Sequence, residues 1–177
     1  MITDLIPPES EPITLEGAKL FLRIDHDEED TLISDLIRSA REQVERLCAR
    51  TLIKRQQQVI WTAPFQDRLK LPTSPVTAIL DVNVYEADGQ EQVITNYQSN
   101  LRATPPSLCF DIPSSVQTIV ATIEAGYGEI SEDVPMPLRQ AMLLLIGQGY
   151  EARNGQDIGG VPMMVDALIM PYRSLKL

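Results

Sequence analysis

The apolar residues of this chain recur at helical spacing, then at strand spacing, then at helical spacing again. That double change restricts the folds open to it. In the first region Ile33, Ile37, Ala40, Val44 and Leu47 form a 4-3-4-3 series, widened by Leu32, Leu36 and Cys48. From about residue 57 to 126 alternate positions become apolar, and Pro, Asp and Gly punctuate the runs. Helical spacing returns after Val134-Pro135-Met136-Pro137, with Leu138, Ala141, Met142, Leu145 and Ile146 as the buried set. The pattern predicts an α+β protein: an antiparallel helical bundle of about four helices with an inserted small antiparallel β-sandwich or barrel. The boundaries read from it are a mobile N-terminal arm over 1–13, a bundle from 14–55 and 134–177, and a β-rich insertion over 56–133.

Local signals fill in this plan. Thr14 is the expected N-cap of a short first helix carrying Leu15, Ala18 and Leu22 and ending near Ile24. Asp27 is the expected cap of the long second helix, with Glu28, Glu29 and Asp30 in its first turn, where carboxylates suit the positive end of the dipole. Arg38–Glu42, Arg41–Glu45 and Glu42–Arg46 stand at i,i+4 on what the periodicity marks as the solvent face. Strands are expected over 59–63, 68–71, 76–86, 92–95, 107–111 and 116–125, and Asp88-Gly89 marks a hairpin. Gly147 and Gly149 interrupt the third helix, residues 154–162 read as a loop, and 163–170 give a last helix stopped by Pro171.

Charge narrows the function. Of the net −10, residues 1–55 contribute −4 (8 basic, 12 acidic), residues 56–134 contribute −7 (3 and 10) and residues 135–177 contribute +1 (4 and 3). Such a balance repels a phosphate backbone at long range and disfavours a freestanding nucleic-acid binder. The longest apolar run, 141–146, is too short to cross a bilayer, and the acidic, proline-rich start does not resemble a signal peptide. The expectation is therefore a cytoplasmic product with no membrane role. Cys48 and Cys109 fall on an apolar helix face and in an apolar strand, so both are expected as buried free thiols.

Candidate chemistry is thin. Read as a calcium loop from Asp25, the run Asp25-His26-Asp27-Glu28-Glu29-Asp30 places Asp30 where glycine is required and Leu36 where a bidentate Glu is required. His26 is the only histidine and has no partner at zinc-ligand spacing, nor a serine or cysteine nucleophile motif nearby. Gly126-Tyr127-Gly128 and Gly159-Gly160 do not extend to a phosphate-binding loop. The nine aromatic residues do not interleave with basic ones. No catalytic, cofactor-binding or metal-binding residue is assigned.

Three ordered blocks carry a resemblance. Residues 13–45 (ITLEGAKLFLRIDHDEEDTLISDLIRSAREQVE), residues 123–155 (IEAGYGEISEDVPMPLRQAMLLLIGQGYEARNG) and Leu168-Ile169-Met170-Pro171-Tyr172-Arg173 together resemble the head–tail connector (adaptor) family of long-tailed bacteriophages and gene transfer agents. Gly17 and Phe21 depart from the acid and the histidine common there. The resemblance implies a non-enzymatic virion protein: a ring of about twelve copies beneath the portal, receiving a stopper or tail-terminator protein on its other side, with double-stranded DNA passing through its centre. It implies a place in the virion neck after synthesis in the bacterial host cytoplasm. Partner-binding is expected at Pro171, Tyr172 and Arg173, and at Arg153, which closes the Tyr-Glu-x-Arg helix end. Two other readings stand beside it: another neck or tail-completion protein of the stopper type, and a small metal-dependent hydrolase built on His26 and Asp27.

Overall fold

The stripe of Ile33, Ile37, Ala40, Val44 and Cys48 is the buried face of α2 (Asp30–Cys48) in the computed structural model, which describes residues 1–152 and 160–173. Around it stand α1 (Leu15–Leu22), α3 (Met136–Ala152) and α4 (Met163–Ile169), which make up the helical unit, residues 9–53 and 128–177. Leu138, Met142 and Ile146 from α3, and Val165 and Ile169 from α4, are wholly buried with Ile33 and Val44. Each such side chain contributes roughly 1.5–3 kcal/mol of apolar burial. α3 is continuous through both its glycines. A Cβ on Gly149 would lie 2.8 Å from Leu36 Cδ2, and one on Gly147 would lie 3.2 Å from Phe21 Cε1. The glycines therefore let α2 and α1 approach α3 closely instead of breaking it.

The start of one helix differs from expectation. Thr14 does cap α1, its hydroxyl accepting from Gly17 N–H at 3.0 Å. For α2 the expected cap, Asp27, is drawn away. Lys19 Nζ lies 2.5 Å from Asp27 Oδ1 and 2.8 Å from Asp30 Oδ1, and the helix starts at Asp30 with Glu29 as an N-cap whose side chain makes no capping bond. The expected solvent-face pair Arg41–Glu45 is also relocated. Arg41 is buried, with Nε 2.8 Å from Glu11 Oε2 and Nη1 3.1 Å from Glu45 Oε2. Glu11 thereby fastens the segment before α1 onto α2.

The second unit, residues 1–8 and 54–127, is all β. A five-stranded antiparallel sheet runs in the order β1 (Ile2–Asp4), β2 (Arg55–Thr62), β8 (Val116–Ala125), β4 (Val76–Glu86), β5 (Glu91–Val93). A three-stranded antiparallel sheet runs β3 (Leu69–Lys70), β7 (Ser107–Cys109), β6 (Gln98–Asn100). Both contribute to one core that includes Val59, Leu69, Val82, Val84, Leu108, Ile119 and Ile123. The class is thus α+β, with four α-helices and two antiparallel sheets among the described residues. The Asp88-Gly89 hairpin forms between β4 and β5, with Gly89 at φ 84°. Of residues 1–13, expected as a mobile arm, Ile2–Asp4 pair with Gln57–Val59. The cause is polar: Asp4 Oδ1 accepts from Gln57 Nε2 at 2.7 Å and lies 3.0 Å from Arg55 Nε, serving two inward-facing side chains of β2. Both cysteines are free thiols, but Cys109 is half-buried, not buried.

Candidate partner-binding surface

α4 is two-faced. Val165 and Ile169, at i,i+4, are 0% exposed, while Met163, Met164 and Met170 are 88%, 65% and 67% exposed. Met163, Ala167 and Met170 are spaced i, i+4, i+7, so they share the outward stripe. Beyond Ile169 the chain tightens into a 3-10 turn over Met170–Tyr172, with Pro171 near its start, where a missing N–H is tolerated. The turn is fastened within the unit. Arg50 Nε donates to the Tyr172 carbonyl at 2.8 Å, and Arg173 Nη2 lies 2.6 Å from Asp166 Oδ1. Of the residues expected to bind partners, Pro171 is exposed, Tyr172 and Arg173 are half-buried, and Arg153 lies outside the described residues. Under the turn, Cys48 faces the Ile169 carbonyl. Burial pushes its thiol up to about 11, with the positive charges of Arg173 and Arg50 working in the opposite direction.

The acidic run before α2 fastens helices. Hydrogen bonds from Lys19 to Asp27 and Asp30 raise the lysine above its ordinary range, and the same bond holds Asp27 below the usual carboxylate range. The Tyr150 hydroxyl donates to Glu29, linking α3 to the start of α2. Among the described residues no group of three or more His, Cys, Asp or Glu is placed to hold a metal ion.

Each unit has a concavity of its own. In the β unit a groove of about 730 Å³ is lined by Phe65, Tyr97, Phe110 and Ile112, with Asp67 and Asp111. In the helical unit a groove of about 470 Å³ is walled by Ile13, Leu15, Ile37 and Ile130, with Arg38 and Glu132. Ile130 is 55% exposed there. The helical groove escapes sequence reading because its walls come from three distant stretches. The methionine stripe was detectable in the i, i+4, i+7 spacing, which the sequence alone reads as one more short helix.

A family profile described as "Phage gp6-like head-tail connector protein" matches residues 12–120. No curated protein matches the chain. Among solved structures, a chain from the neck of an empty gene transfer agent (GTA) particle computed with C6 symmetry is 24% identical with a TM-score of 0.85, covering 100% of this chain and 97% of that one. A chain from the virion of a native GTA particle gives the same identity, coverage and TM-score. A chain from the neck of a native GTA particle computed with C12 symmetry is 23% identical with a TM-score of 0.75, over the same shares. At these identities the likeness is one of fold.

Proposed function

Since the chain belongs to the phage gp6-like head–tail connector protein family, we propose that it is the adaptor of a virion neck, about twelve copies forming a ring beneath the portal. The far side of the ring receives a stopper or tail-terminator protein, and double-stranded DNA passes through its centre during packaging and ejection. The subunit is made in the host cytoplasm and ends in the particle. The observation that carries the reading is the family match over 12–120, joined to a fold shared end to end with chains from GTA particles. The copy number draws support from the twelvefold symmetry of one of those necks. A head-to-tail contact repeated by rotation closes such a ring.

The work of such a subunit is contact, not reaction. Pro171, Tyr172, Arg173 and Arg153 are the proposed portal anchors; Tyr and Arg dominate the binding energy of many interfaces. The turn over Met170–Tyr172 is held by Arg50 and Asp166, so little ordering entropy is lost when it docks. Deleting residues 171–177 leaves Val165 and Ile169 in place and should give a chain with the helical circular dichroism of the parent. The truncated chain is expected to lose co-sedimentation with portal. Undiminished co-sedimentation removes the tail from the interface. Images that put the protein one layer below the portal replace the adaptor reading with a stopper.

A further inference from the structure

We infer that α4 makes the lateral contact of the ring, its exposed methionine stripe seating in the Ile13–Ile37–Ile130 groove of a second copy. The inference rests on the ring reading and goes further by naming both halves of the joint. A cyclic ring needs a heterologous contact in which one patch meets a different patch of the same chain. The helical unit carries an unlike pair of that kind. One is convex: Met163, Met164 and Met170 stand out from α4 at 88%, 65% and 67% exposure. Three thioethers on one helix face adapt to an irregular hollow, and methionine is enriched in interface cores. The other is concave and apolar-walled, about 470 Å³ in volume, a size in the range of roughly 300–1,000 Å³ that encloses drug-sized ligands.

The charges beside the two patches are of matching kind. Asp166 follows Met163 by three positions and precedes Met170 by four, and it pairs with Arg173. Arg38 stands next to Ile37 in the groove, and Glu132 next to Ser131. Glu11, which also lines the groove, is paired with Arg41, and Asp166 of one copy can meet Arg38 of the next. For a chain with a net charge of −10, local pairing of this sort offsets the general repulsion between copies. Strand pairing is a poor rival: the outer strands β1 and β5 have three residues each, and β4 is bulged between Val76 and Ala78 and between Ile79 and Asp81. Short, bulged edges resist pairing with a neighbour.

The test uses full-length chains in which Cys109 is replaced by serine, leaving Cys48 buried. Met163→Cys, Ile130→Cys and the double variant are assembled on portal and treated with a short bis-maleimide. The expected result is a ladder of cross-linked multimers from the double variant. A mixture of the two single variants should stop at dimers, and either single variant alone should give none. A second arm replaces Met164 and Met170 with aspartate. These side chains are exposed, so circular dichroism should be unchanged while ring occupancy on portal falls at least tenfold; leucine at both positions should restore it. Rings visible by electron microscopy without a ladder, cross-links within Met163→Cys alone, or full occupancy with the aspartates would each overturn the inference and leave the ring reading standing. Parent chains that form no ring on portal would overturn both.

Discussion

Cys48 sits at the end of α2 with 1% of its surface exposed, under the turn that carries Tyr172. Its thiol ionises near 11 in the folded chain against an ordinary 9.0, because burial penalises the thiolate more than Arg173 and Arg50 favour it. Between those values the unfolded chain releases the proton while the folded chain keeps it. Stability should therefore be level below about pH 9 and fall as pH rises toward 11, by up to about 1.4 kcal/mol per unit. Urea midpoints measured from pH 7 to 10 check this, with Cys48→Ala as the comparison whose slope is shallower; nearer pH 11 Lys19 and Tyr85, both raised by hydrogen bonds to carboxylates, add a fall of the same sign. The half-buried Cys109 should react with a maleimide first. An equal pH slope in Cys48→Ala would assign the effect to another group.

Helix α2 closes at Ala49, whose φ of 53° places a residue with a Cβ in the left-handed region, with its N–H bonded to the Glu45 carbonyl. Glycine suits that cap, since it carries no Cβ penalty there. Ala49→Gly should therefore raise stability by about 0.5–1 kcal/mol, the left-handed strain relieved less the extra entropy of an unfolded glycine. Thermal unfolding checks it, and a lower Tm would mean that the methyl packs better than the strain costs. This element shows where sequence reading works and where it stops. The apolar stripe of α2 and the Asp88-Gly89 hairpin were legible because neighbours within about seven residues determine them. The start of α2 was not, because Lys19 from α1 claims Asp27 and Asp30. Nor were β1 and β6 legible: Gln98–Asn100 is polar and exposed throughout, and a strand of that kind exists only by pairing with β7. Arg41 was placed in solvent because periodicity is blind to Glu11, thirty residues away, which pairs with it from outside the helix. The Pro-Tyr-Arg turn was visible as sequence, but its attachment to Arg50 and Asp166 was not.

At the scale of the whole molecule the balance of 15 basic and 25 acidic residues is the property that bears on DNA. A protein that grips duplex DNA neutralises several phosphates and releases their counterions, and its affinity then falls steeply with salt. This chain has the opposite field. Several of its cations are already matched internally: Lys19 to Asp27 and Asp30, Arg41 to Glu11 and Glu45, and Lys54 to Glu124. In the proposed ring such a wall would let DNA pass without sticking, which a conduit needs more than affinity. The purified chain should leave the mobility of a linear duplex unchanged at 50 mM salt up to about 100 µM protein, a concentration at which non-specific binders with Kd of roughly 1–100 µM retard it. At low salt repulsion acts over about 10 Å or more, and at 1 M over about 3 Å. Self-association of the same chain, followed by sedimentation, should therefore strengthen as salt rises, because screening removes repulsion between copies while leaving apolar contacts intact. A retarded duplex band that disappears with added salt would show a cationic surface that outweighs the net charge, and the channel wall would then have to be read as a grip on DNA.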